Sequence, residues 1–255
     1  MTSSKNSCFL KSLTTLFTVF IISLLSVQSQ PSADSSIYLK SVQKSKDVYK
    51  TFIAENSHLY AGNEYFKPST QGQKLIGTPY FHTDSFLVAS VFYDDKRYDS
   101  ILLHFEIPDN ALVLTNPVTN TSYQLLNEKV AYFIIDHHEF DKLDAKAALA
   151  MHTNKLYAEK IYTGKETIWG IYEKKFTLSS KAEDQTATYL DYNEYYLEKE
   201  NTFYEIDSEN KLVTLLKDHK SELKKFISKN KLKFKKDPEN TLQKTLFYYD
   251  QLTQQ

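Results

Sequence analysis

From Phe86 onward the apolar residues come in short runs broken by turn formers. Phe86 to Tyr93 is followed by Asp94-Asp95-Lys96, and Tyr98 to Ile107 by Pro108-Asp109-Asn110. Ala111 to Thr115, Tyr123 to Leu126 and Val130 to Ile135 continue the series, with Asn116-Pro117 and Thr119-Asn120 between. Short β-rich runs at this spacing predict antiparallel strands. Asp and Asn side chains mimic turn hydrogen bonds, and Pro presets φ, which is why these residues punctuate the runs. Leu156 to Tyr162 and Thr167 to Phe176 flank Thr163-Gly164-Lys165 and predict a hairpin. Tyr192 to Leu197 and Thr202 to Ile206 predict a second, turning near Lys199-Glu200-Asn201.

The period then changes. Ala145 to Met151 is alanine-rich and helical in pattern. Ser208 is placed to cap a short helix through Leu216, and Leu223, Phe226 and Ile227 mark an amphipathic stretch. Asp237-Pro238 reads as an N-cap followed by proline at the first helical position. Leu242, Leu246, Tyr249 and Leu252 then fall on one helical face, which should dock on the sheet. The expected fold is mainly β, of α+β class: an antiparallel meander of about eight or more strands with two or three C-terminal helices packed on it. The β body spans 80–206 and the helical segment of the same domain 207–255. Residues 30–79 read as a leader, with a short helix from Tyr38 and a long loop from Gly62 to Pro79.

The first 29 residues have a different character. Lys5 and Lys11 precede an apolar run from Leu13 to Leu25, and Val27-Gln28-Ser29 offers small or aliphatic residues at −3 and −1. This is the pattern of a secretory signal peptide cleaved after Ser29. The run falls short of the about 20 apolar residues that a spanning helix needs, so no transmembrane segment is expected after its removal. Cys8, the single cysteine, would leave with it, and loss of Lys5 and Lys11 takes the formal charge from −1 to −3. The expected location is exported: periplasmic, outer-membrane-associated or secreted.

Composition narrows the chemistry. The five glycines (Gly62, Gly72, Gly77, Gly164, Gly170) have no phosphate-loop spacing. Arg97 is the only arginine, so bidentate reading of bases or phosphates is poorly supplied and no nucleic-acid partner is expected. There is no Gly-x-Ser-x-Gly elbow, and Ser221-Glu222-Leu223-Lys224 lacks a Lys-Thr-Gly companion. His137, His138 and Glu139 form the densest set of metal-ligand types, but neighbours on a strand point to opposite faces, so no metal and no cofactor is expected. His82 with Asp84, and His104 with Glu106, read as pairs on a solvated strand face. Trp169 reads as a core or half-buried residue. Acids are spread along the chain, and no spacing singles out a catalytic pair.

Charge is segregated. Residues 183–209 carry nine acids and one lysine, whereas 217–236 carry nine lysines and two acids. The simplest expectation is that the two segments lie side by side and neutralise each other. The alternative is an exposed basic patch (Lys224, Lys225, Lys229, Lys233, Lys235, Lys236) facing an anionic surface.

Several runs resemble uncharacterised secreted proteins of the kind common in Bacteroidetes. They are Gly77-Thr78-Pro79-Tyr80-Phe81, Ala89-Ser90-Val91-Phe92-Tyr93-Asp94, Lys96-Arg97-Tyr98, Tyr195-Tyr196-Leu197, Thr202-Phe203-Tyr204 and Asn230-Lys231-Leu232-Lys233-Phe234. The resemblance implies export and a β-rich body, and it brings no catalytic residue. The leading functional expectation is a non-enzymatic cell-envelope or extracellular binding or accessory module, with an envelope protein, a glycan or an anionic surface as partner. The alternatives are a secreted hydrolase acting on polysaccharide or peptide, and a structural subunit of an envelope complex.

Overall fold

The computed structural model describes residues 33–55, 57–67, 74–116, 119–179 and 186–254. The expected signal peptide and its cleavage point after Ser29 lie outside them. The chain divides after Glu55 into two units. In the first, the pattern predicts a polar leader and then a short helix; the structure has one continuous helix of 23 residues, α1 (Ala33–Glu55). No Gly or Pro interrupts this stretch, so nothing in it breaks the backbone ladder.

The second unit is built on a sheet of twelve strands among the described residues. They are β1 (Asn63–Glu64), β2 (Lys74–Ile76), β3 (Leu87–Tyr93), β4 (Lys96–Glu106), β5 (Ala111–Thr115) and β6 (Ser122–Gln124). Then come β7 (Val130–Ile135), β8 (His138–Lys142), β9 (Tyr157–Thr163), β10 (Thr167–Leu178), β11 (Thr186–Lys199) and β12 (Thr202–Glu205). Two meanders share the sheet. β3 to β6 run outward to β1, and the chain then returns so that β7 pairs with β3, after which β7 to β12 run the other way. The stretch read as a leading loop thus supplies two short edge strands: β1 beside β6, and β2 parallel to the start of β11.

Few glycines are needed because the tight turns use other residues in the left-handed region. Asp94-Asp95, Asp136-His137 and Glu200-Asn201 each form a two-residue hairpin turn with both φ values positive. Ser100 (φ 57°) lies where the register of β4 on β3 slips by one residue. This bulge resets the alternation, so Tyr98 and Ile101 both face inward.

The inner face carries two adjoining cores. Phe105, Phe133, Phe140 and Tyr157 pack edge-to-face or stacked, with centroids 4.8–5.9 Å apart. Beside them Ile161, Ile168, Tyr195 and Leu197 are covered by α3 (Glu209–Leu215), α4 (Lys220–Lys229) and α5 (Pro238–Thr253). Leu242, Leu246 and Tyr249 are fully buried there and Leu252 packs at the margin, as the helical spacing predicts. On the outer face α2 (Ala145–Ala150) precedes Met151, which packs with Ala158, Ile171 and Tyr196. Among the described residues no helix is long and apolar enough to cross a membrane.

Polar contacts fix α5 in place. Asp250 accepts from the Tyr162 hydroxyl (2.7 Å) and the Lys165 amide (3.2 Å), and Gln243 donates to the Ile161 carbonyl (2.8 Å). A Cβ on Gly164 would stand 1.8 Å from the Asp250 carboxylate. Gly164→Ala should therefore displace that anchor and cost about 1–3 kcal/mol in denaturant unfolding. Glu200→Gly should act oppositely, gaining about 0.5–1 kcal/mol by relieving a left-handed residue in a hairpin turn.

Candidate functional site

Titratable side chains converge where the two inner cores meet. Register decides which ones arrive. Glu159 stands between Tyr157 and Ile161 in the inward phase of β9, so the alternation that buries its neighbours also buries a carboxylate. It lies opposite Phe140 of β8 and Gly170 of β10. Gly170 presents no side chain there, and a Cβ would crowd Ile161 and the Tyr172 ring. Tyr172 of β10 and Tyr195 of β11 share this face. The turn Asp136-His137 ends at His138, whose ring faces inward, and the segment before β3 brings Phe81 and His82 over the top. Glu239 comes from the first turn of α5, where Asp237 caps the helix by accepting from the Asn240 amide. An acid suits that position, because the unpaired amides of a helix start favour negative charge.

The hydrogen bonds form one connected set. The Tyr172 hydroxyl is within bonding reach of Glu159 Oε2 and, at 2.8 Å, of Glu239 Oε1. Tyr195 reaches the same Glu239 oxygen at 3.3 Å. His138 Nδ1 meets Glu159 Oε1 at 2.7 Å. Phe81 packs against His138, Phe140 and Tyr172, and the Glu159 side chain is only 6% exposed. Burial, reinforced by the Glu159 and Glu239 charges, pushes the Tyr172 phenol far above its ordinary range. The hydrogen bond to Glu159 raises His138, whereas burial and the neighbouring His138 lower His82; the two rings are 4.9 Å apart. The two rings are thus shifted in opposite directions.

Glycoside hydrolysis uses a pair of carboxylates on either side of a sugar. Here the phenol oxygen of Tyr172 occupies the gap between them, where a reacting sugar would have to sit. The arrangement as it stands joins helix to sheet. Among the described residues, no three His, Cys, Asp or Glu side chains are grouped to hold a metal ion.

Comparison with protein-family models, curated proteins and solved structures gives no match.

The residues singled out by sequence are scattered. His137 sits in the β7–β8 turn, His138 faces inward, and Glu139 takes the outer face beside Lys160 (3.0 Å), so the three do not converge. His104 and Glu106, expected on a solvated face, are 7% and 2% exposed. Tyr80 and Phe86 sandwich the His104 ring, and Tyr65 bonds to Glu106, whose carboxyl burial raises. The segment that includes Tyr65, Tyr80 and Phe86 covers this patch of strand, and local alternation carries no sign of such a cover. Trp169 is half-buried, donating to Glu198 at 2.8 Å.

The charged segments do not neutralise each other. Among the described residues, no lysine of 217–236 has a carboxylate within 4.0 Å. Acids of 183–209 that do pair use Lys174 and Lys211 instead. All nine lysines of 217–236 are exposed. Leu223 and Phe234 are buried between them, and the Phe234 amide is fixed to Glu209 Oε1 (2.5 Å). These inward plugs turn Lys224, Lys225, Lys229, Lys233, Lys235 and Lys236 outward. Eight of the 19 tyrosines go the other way: Tyr80, Tyr93, Tyr98, Tyr157, Tyr172, Tyr195, Tyr196 and Tyr249 are all buried.

The two histidines set opposite limits on stability. His138, raised above 6.5, stabilises the fold at pH below that value, and the contribution is lost as pH rises through its folded titration. His82, lowered below 6.5, favours the fold above that value and loses the effect as pH falls through its folded titration. NMR titration should show His138 titrating above 6.5 and His82 below it. His138→Gln should remove the alkaline limb of the stability profile and His82→Gln the acid one.

Proposed function

We propose that the protein is an exported, non-enzymatic binding module of the cell envelope, and that its lysine face meets an anionic surface. The observation that carries this reading is the exposed set of lysines on α4 and the following segment, with no carboxylate within 4.0 Å among the described residues. Lysines left unpaired at a neutral-to-acidic protein's surface cost self-repulsion, which an anionic partner relieves. The amino-terminal pattern and the resemblance to secreted proteins support export. Eight of the 19 tyrosines are buried in the core, whereas all nine lysines of 217–236 are exposed, so the lysine face is the better-supplied contact surface.

A hydrolase acting on polysaccharide or peptide is the second reading, favoured by the approach of Glu159 and Glu239. Tyr172 between them weighs against it. Turnover of a glycan or peptide that is lost in Glu159→Gln and Glu239→Gln variants with unchanged melting would reinstate it.

The binding reading is tested with vesicles containing phosphatidylglycerol against neutral vesicles. Each lysine near an anionic surface contributes about 1 kcal/mol, screened by salt. Changing Lys224, Lys225, Lys235 and Lys236 to Glu should weaken binding at least tenfold at low salt, with circular dichroism unchanged. Equal binding by the variant, or equal binding to neutral vesicles, would overturn the reading. Affinity capture from an envelope fraction then distinguishes a protein partner from a glycan.

A further inference from the structure

We propose that the Glu159–Tyr172–Glu239 contact is a proton-dependent latch that fastens the first turn of α5 to the sheet, closed while His138 is protonated and loosened when it is not. This inference stands apart from the lysine-face reading and does not depend on it.

Tyr172 has one hydroxyl proton and two carboxylates within reach. It can donate to only one at a time. The two acids therefore face each other across a single phenol oxygen, whose ring packs against Phe81 and Phe140. Like charges held so close repel each other. His138 relieves this by placing its Nδ1 proton and its charge on the second oxygen of Glu159.

Every charged or titratable group facing the cluster bears on the balance. His82 lies against His138 from the segment before β3. Asp136 in the β7–β8 turn, Glu159 on β9 and Glu239 on α5 act electrostatically on both rings and favour the protonated forms, whereas His138 disfavours charge on His82. Tyr195 supplies a second, longer hydrogen bond to Glu239. When His138 loses its proton, Glu159 loses the cation paired with its second oxygen. Glu159 cannot yield, because it is held mid-strand between β8 and β10. Glu239 can, because it stands in a first helical turn at the rim of the core, held to the sheet by Tyr172 and Tyr195. Release of Glu239 frees the start of α5, whereas Leu246, Tyr249 and Asp250 still hold its second half.

The test is hydrogen exchange of the intact protein between pH 5.5 and 8.5, corrected for the intrinsic pH dependence of exchange. Protection of amides in residues 241–245 should fall at least threefold as pH rises through the His138 titration followed by NMR. Amides in residues 249–253 should hold constant. In His138→Gln and in Tyr172→Phe, protection of 241–245 should be low and should show no step. Tyr172→Phe keeps the ring in the aromatic core, so it serves if the His138 variant does not fold. A flat wild-type profile, or a wild-type-like step in either variant, would overturn the latch.

Discussion

The inner face of the sheet has to be covered, and the rest of the structure follows from how that is done. β7 to β11 point Phe133, Phe140, Tyr157, Ile161, Ile168, Tyr195 and Leu197 to one side. The chain has a single cysteine, so no disulfide within it can staple the fold. Burial of apolar surface must hold it together, at about 25 cal/mol per Å² removed from water. Aromatic side chains cover half of that face by packing on one another. The three C-terminal helices cover the other half, led by the stripe Leu242, Leu246 and Tyr249 on α5.

The polar cluster is a consequence of the seam between those two halves. An aromatic core and a helix-covered core meet at β9 and β10, and the seam is where a carboxylate in the inward phase finds partners. Glu159 would be costly there alone. It is accommodated because Tyr172 and His138 both hydrogen-bond to it. The same geometry that satisfies Glu159 ties the position of a helix to the protonation of a histidine. The lysine face lies on the far side of this helical layer, where Leu223 and Phe234 turn inward and leave their neighbours in water.

The turns show how a glycine-poor chain makes a twelve-stranded sheet. Three hairpins place two consecutive residues in the left-handed region without a single glycine, using Asp, Asn, His and Glu. Asp and Asn tolerate that region through local hydrogen bonds, at a cost glycine would not incur. Glycine is kept where the demand is steric. Gly164 stands against the Asp250 carboxylate and Gly170 against Ile161.

Strands, hairpins and the amphipathic C-terminal helices were legible in the sequence, because each is written in a local period: two for β9 and β10, near 3.6 for α5. Asp237-Pro238 marked a helix start through capping chemistry that acts within one turn. Glu159 in phase with Tyr157 and Ile161 was a visible sign of a buried acid, although nothing nearby named its partners. Other features depended on contacts between distant segments. The return of β7 to β3, the cover over His104 and Glu106, the meeting of Glu159 and Glu239 on Tyr172, and the lack of ion pairs between the described parts of the acidic and basic segments all belong here. Sequence alone determined which residues prefer to face inward, since that preference arises from each residue's own hydration and its neighbours' spacing. Only the tertiary structure decided what each inward group meets, since pairings across the sheet are chosen by the packing of the whole chain.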